Sequence, residues 1–72
     1  MPKWPVVSGA QIVRALERLG FRQVRQRGSH VIMRREERGC AVPLHKEVRI
    51  GTLGTILRQA EIAPDDFFKV VK

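Results

Sequence analysis

Between Gly20 and Pro43 the chain sets three short runs of strand-forming residues around two loops, and both loops are too short for a crossover. Runs joined this way have to lie side by side in one antiparallel sheet. Phe21 to Gln26 forms the first strand. Phe21 and Val24 fall on opposite faces of it, a conflict that a bulge resolves. Arg27-Gly28-Ser29 is the first turn. His30 to Arg35 is the second strand, with Val31 and Met33 on one face and His30, Ile32 and Arg34 on the other. Glu36-Glu37-Arg38-Gly39 is the second loop, in which Gly39 supplies the residue able to take positive φ. Cys40-Ala41-Val42 is a short third strand, stopped by Pro43, which has no ladder donor. Such a sheet buries one face and leaves the other wet.

The flanking segments provide the cover. Ser8 is a good N-cap, and Ile12, Val13, Leu16 and Leu19 follow at helical spacing, with Gly20 where a left-handed C-cap residue is wanted. The first helix is therefore expected from about Gly9 to Leu19. After a charged loop from Leu44 to Ile50, Gly51-Thr52 opens a second helix, with Thr52 as N-cap and Leu53, Ile56, Leu57 and Ala60 as its buried stripe, ending near Ala60 to Glu61. Pro64 suits the first position of a last short helix, with Asp65 and Asp66 near its positive end. From there Phe67, Phe68, Val70 and Val71 can close the core. Residues 1–7 form a Pro-bounded arm that places Trp4 on the body. Each main helix has a single apolar stripe, so both should cover the same sheet face. The expected class is α+β, an α-β-β-β-α sandwich with a short C-terminal helix, in one domain spanning residues 1–72.

Charge narrows the partners. Fourteen Lys and Arg stand against seven Asp and Glu, a net +7 on 72 residues, and ten of the fourteen are arginine. Arginine's planar fork suits bidentate phosphate contacts, so a polyanion, most simply nucleic acid, is the expected partner. An acidic protein is the other. The one cysteine, Cys40, excludes an internal disulfide and a multi-cysteine zinc site, and two histidines make a poor metal site, so neither metal nor cofactor is expected. No run is apolar enough for a signal peptide or a bilayer span, and a cytoplasmic protein is expected.

The chemistry-bearing stretch is Gly28-Ser29-His30, which follows Arg22, Arg25 and Arg27. Taken on the residues alone, His30 reads as a half-exposed strand residue. Ser29 reads as a turn former, His45 as a loop residue able to contact RNA, and Cys40 as a buried strand residue. Arg27, Arg34, Arg35 and Arg49 are candidates for phosphate contact. RNA can be cut without a metal by attack of the 2′-hydroxyl on the adjacent phosphorus, given a proton acceptor, a cation for the phosphorane oxygens and a proton donor for the leaving oxygen. An imidazole and nearby arginines supply such groups, and the Gly28 and Ser29 amides can hold a phosphate oxygen.

Longer stretches carry a resemblance. Leu19-Gly20-Phe21, Gly28-Ser29-His30, Val31-Ile32-Met33-Arg34-Arg35, Val42-Pro43-Leu44-His45 and Gly51-Thr52-Leu53-Gly54-Thr55-Ile56-Leu57-Arg58-Gln59-Ala60 occur in the order and spacing of the HicA toxin family, covering about Ser8 to Phe68. The resemblance implies a double-stranded-RNA-binding-domain-like fold, mRNA interferase activity as the toxin of a toxin–antitoxin system, and a HicB antitoxin that masks the active site. It also implies that His30 is the catalytic residue. Two positions depart from the family pattern: Glu61 stands where Gly is common after the second helix, and Ala63 replaces the usual Ser/Thr cap. Three readings follow: a metal-independent endoribonuclease using His30, a non-catalytic RNA-binding module, and a module that binds an acidic protein.

Overall fold

Ser8 stays extended and starts α1 (Gly9–Arg18). Its hydroxyl accepts the Gln11 N–H at 3.1 Å, and the Gln11 side chain accepts the Ser8 N–H at 2.8 Å. This reciprocal box occupies donors that the first turn cannot use internally. At the other end Leu19 is the cap and Gly20 takes φ +95°. The Phe21 N–H donates to the Leu16 carbonyl at 2.9 Å and the Gly20 N–H to that of Glu17 at 3.1 Å, the paired bonds of a Schellman stop. Phe21 therefore belongs to the cap and the core, and the strand begins one residue later than its β-forming side chain suggests. The computed structural model describes residues 4–72; residues 1–3 of the Pro-bounded arm lie outside the described residues.

The three strands are β1 (Arg22–Arg27), β2 (His30–Arg35) and β3 (Arg38–Pro43), antiparallel in the order β1-β2-β3. The expected bulge is present: pairing slips between Gln23 and Arg25, and Val24 is left 42% exposed. Both hairpins are tighter than expected. Arg27 pairs with His30, so the first loop is Gly28-Ser29 alone, and Arg35 pairs with Arg38, so the second is Glu36-Glu37. Positive φ in the second loop therefore falls on Glu36 (56°) and not on Gly39, which sits in the ladder opposite Arg34. The register explains this correction. Setting Met33 against Cys40 and Val31 against Val42 buries all four side chains on one face, and that pairing leaves two residues to turn the corner.

Both main helices cover that face. Ile12, Val13, Ala15 and Leu16 of α1 meet Val31, Met33, Cys40 and Val42, and α2 (Ile50–Gln59) adds Leu53, Ile56 and Leu57. The second helix starts earlier than expected. Arg49 occupies the N-cap position, and its carbonyl accepts the Leu53 N–H at 2.9 Å; Thr52 lies within the first turn. The cause lies just before the helix, where Val48 pairs with Val7 in an isolated antiparallel bridge (N–H to carbonyl 2.8 Å) with both side chains buried. Held there, the chain turns straight into the helix, and no side chain caps it. The third helix, α3 (Pro64–Val70), opens on Pro64 as expected and sends Phe67 fully into the core. Phe67 packs edge-on to Phe68 at 5.1 Å, and Trp4 packs on Phe68 at 5.5 Å, so the arm does meet the body.

The end of α2 carries a cost. Its Schellman stop is complete, with Ile62 N–H to Leu57 carbonyl at 2.9 Å and Glu61 N–H to Arg58 carbonyl at 3.1 Å, but the left-handed residue is Glu61 at φ +55°. A side chain in that region costs about 1–2 kcal/mol, and the exposed Glu61–Arg38 ion pair at 3.5 Å returns little of it. Glu61→Gly is expected to stabilise the fold by about 1 kcal/mol and to raise the melting midpoint by roughly 5 °C. Glu61→Ala, which loses the ion pair and keeps the strain, should not raise it. Thermal unfolding of both variants checks this.

Candidate functional site

The helical layer stops short of β1. The helices pack on β2 and β3, and all six β1 residues are exposed. Residues opposite each other in a sheet project to the same side, so the register lays out the uncovered face row by row. Val31 and Met33 point inward, which turns His30, Ile32 and Arg34 outward together with their β1 partners. The first row is Arg27 and His30. The second is Arg25, Ile32 and, on β3, Ala41. The third is Arg22, Arg34 and Gly39. The bulge at Val24 keeps Arg22 and Arg25 on one face although they are three residues apart.

This face therefore holds four arginines and one histidine, all exposed. Among the described residues the one ion pair is Arg38 with Glu61, so no carboxylate compensates these arginines. Arg22 and Arg34 stand directly opposite one another, an arrangement of like charges that costs stability. The other facing arginine pair, Arg35 and Arg38, lies on the covered side and is compensated: the Arg35 guanidinium donates to the Leu19 carbonyl at 2.9 Å, and Arg38 meets Glu61. The outward pair meets no carboxylate among the described residues; Arg34 Nε donates to the Glu36 carbonyl at 3.0 Å, and the remaining guanidinium donors of both residues are free for an anion.

His30 sits at the end of this face where the backbone is most tightly tied. Gly28 holds φ +59°, a conformation that favours glycine, and the Gln26 side-chain amide donates to the Gly28 carbonyl at 3.0 Å. The Leu44 N–H donates to the Ser29 carbonyl at 2.7 Å, extending the β2–β3 pairing past His30 and Pro43. Gly9 then locks the far side. Its N–H donates to the His45 carbonyl at 2.8 Å, and its α-carbon lies so close to Pro43 that any side chain would overlap the Pro43 carbonyl oxygen. The imidazole thus projects from a strand start braced by a turn, by the chain after β3 and by the first residue of α1.

The sequence candidates divide on this frame. Arg27, Gly28, Ser29, His30 and Arg34 come together on or beside the open face. Arg35 does not: one residue on from Arg34 along β2, it faces the covered side, where its guanidinium donates to the Leu19 carbonyl at the end of α1. His45 and Arg49 are exposed residues of the β3–α2 connection and belong to no row of the sheet. Arg22 and Arg25 join the site although the candidate set omits them; the signal for them was the parity conflict at Val24, since the bulge that resolves it also aligns the two arginines. Cys40 lies on the buried side of β3, where burial pushes its thiol up to about 11, so it is no nucleophile near neutral pH. Among the described residues no three of His, Cys, Asp and Glu gather where a metal could be held, and no helix is long and apolar enough to cross a membrane.

The sequence profile of the HicA toxin of bacterial toxin–antitoxin systems matches residues 9–62. The match runs from the first residue of α1 through all three strands to the stop of α2, and so includes the open face and the His30 turn. The third helix lies beyond it. No curated protein and no solved structure matches the chain significantly. Three quarters of the chain, including every element around His30, thus follows one family pattern, and this protein belongs to the HicA toxin family, the toxin side of a bacterial toxin–antitoxin system.

Proposed function

We propose that this toxin is a metal-independent endoribonuclease that cuts mRNA in the cytoplasm, with His30 as its acid–base group. The observation that supports the reading is the exposed imidazole at the end of a face whose arginines lack carboxylate partners among the described residues. The 2′-hydroxyl of the substrate attacks the adjacent phosphorus and its proton passes to the imidazole of His30. The bond from phosphorus to the 5′-oxygen breaks, and that oxygen takes a proton from solvent, to which the face is open. The products are a 2′,3′-cyclic phosphate and a 5′-hydroxyl, and the imidazolium returns its proton to water. Arg27, beside His30, and the amides of Gly28 and Ser29 hold the phosphorane oxygens as negative charge grows on them.

The same charge accounts for restraint. The family implies a HicB antitoxin partner, and an acidic surface laid over the Arg22–Arg25–Arg27 column would cover His30 as well. We place the antitoxin on this face.

Incubating purified toxin with a defined single-stranded RNA in the presence of chelator tests the activity. Cleavage leaving cyclic-phosphate and 5′-hydroxyl ends is expected. Intact RNA bound in a salt-dependent manner would favour the non-catalytic RNA-binding reading. Charge reversal of Arg25 and Arg27 to Glu is expected to lower RNA affinity about a hundredfold and to flatten the salt dependence by more than the roughly 1.4 logarithmic units expected from two lost phosphate contacts. Filter binding over a salt series measures both, and circular dichroism should be unchanged because both side chains are exposed.

A further inference from the structure

The open face is more than a basic patch, because its charges are in register. Along β2 the outward residues His30, Ile32 and Arg34 are two apart, so the rows follow one another at about 6.8 Å. Each row presents at least one arginine: Arg27, then Arg25, then Arg22 with Arg34. This step suits the spacing of phosphates along an extended nucleic-acid strand. Neighbouring phosphates of one strand in a duplex stand a similar distance apart, but they follow a helical path around the duplex axis and so leave a straight track after a step or two. On the β3 side the second and third rows end in Ala41 and Gly39, both exposed and both small, leaving low ground beside the arginine column for sugars and bases. The track is bounded. After the third row the β2–β3 loop brings Glu36 and Glu37, and Arg34 is tied to that loop by a 3.0 Å bond from its Nε to the Glu36 carbonyl. At the other end the sheet rows stop at His30, and the chain turns through Gly28-Ser29.

We propose that the open face is a three-row track for single-stranded RNA. The Arg27–His30 row takes the phosphate to be cut, and the Arg25 and Arg22–Arg34 rows hold the next two phosphates on one side of it. The placing of the cut rests on the catalytic reading of His30; the track itself does not. The attack needs the 2′-oxygen opposite the leaving 5′-oxygen, a geometry that a regular A-form helix withholds and a pliable single strand reaches. The rows therefore select the substrate that the chemistry also needs.

Two measurements test this with the intact protein. The first uses 2′-O-methyl RNA oligomers with one to six phosphates, which lack the attacking hydroxyl and stay whole whatever His30 does. Affinity and the magnitude of the salt slope should rise up to three phosphates, the slope reaching about 2, and then level off. In the Arg22→Gln/Arg34→Gln variant the plateau should come at two. A slope that keeps rising to six phosphates, a plateau unmoved in the variant, or a duplex of equal length bound as tightly as the single strand would overturn the track. The second uses oligomers with a single ribonucleotide at one position of a 2′-O-methyl chain. Those with two or more phosphates on one particular side of the cut should react at least tenfold faster than their mirror-image placements. Equal rates for the two placements would overturn the register. Absence of cleavage at every position would overturn the placing of the cut, while the plateau at three phosphates would still stand as evidence for the track.

Discussion

Gly9→Ala is expected to destabilise this protein by about 3 kcal/mol, lowering its melting midpoint by roughly 15 °C, although alanine is normally the better helix former. The new methyl group would overlap the Pro43 carbonyl oxygen and stand 2.8 Å from the Leu44 α-carbon. Both are backbone atoms, so no side chain can rotate away; α1 or the end of β3 has to move. The movement would also strain the Gly9 N–H bond to His45. A domain this small draws only a few kcal/mol from its core, which makes such a loss a large part of the total. Gly51→Ala is the matched control. Its position is in the first turn of α2 with nothing within 4 Å of the added carbon, and the same change there should stabilise by up to about 1 kcal/mol. Opposite signs from one chemical substitution, read by thermal or urea unfolding, isolate the contact between α1 and β3. Equal shifts would mean that the close approach at Gly9 is not a constraint.

The order of elements was legible because each boundary has a local cause. Ser8, Gly20 and Pro64 act on their own neighbours, and the alternation of Val31 and Met33 against His30, Ile32 and Arg34 is a property of one strand. What escaped depends on residues far apart in the chain. Val48 is fixed by Val7, and that bridge, not Thr52, decides where α2 begins. Gly39 looks like a turn residue, but the pairing of Met33 with Cys40 draws it into the ladder and leaves Glu36 to take positive φ. Gly9 reads as an unremarkable first helical residue, and only the proximity of Pro43 shows why it has no side chain.

The candidate site was half legible for the same reason. His30, Arg27 and Arg34 follow from the parity of β2 and its hairpin. Arg35 alternates with Arg34 and so faces the covered side, which the strand alone dictates; only its bond to the Leu19 carbonyl depends on where α1 stops. Arg22 and Arg25 needed the bulge to be placed, since shifting the register by one residue sends every side chain to the other face. Glu61 is a different case: the departure from the family's glycine was visible in the sequence, and its cost appears only in the φ of +55°.

On the proposed mechanism His30 handles the proton, while the rest of the face holds the RNA and the charge that develops on its phosphate. His30 is exposed and makes no packing contribution to the core, so His30→Ala should keep the fold, its melting midpoint within a few degrees of the parent. The decisive measurement compares the two purified proteins side by side on one defined single-stranded RNA with chelator present, following the appearance of 2′,3′-cyclic phosphate and 5′-hydroxyl ends. His30→Ala is expected to bind the RNA with affinity within a few fold of the parent and to cut it at least a thousandfold more slowly. A folded His30→Ala protein that cuts at the parent's rate would overturn the catalytic assignment of His30.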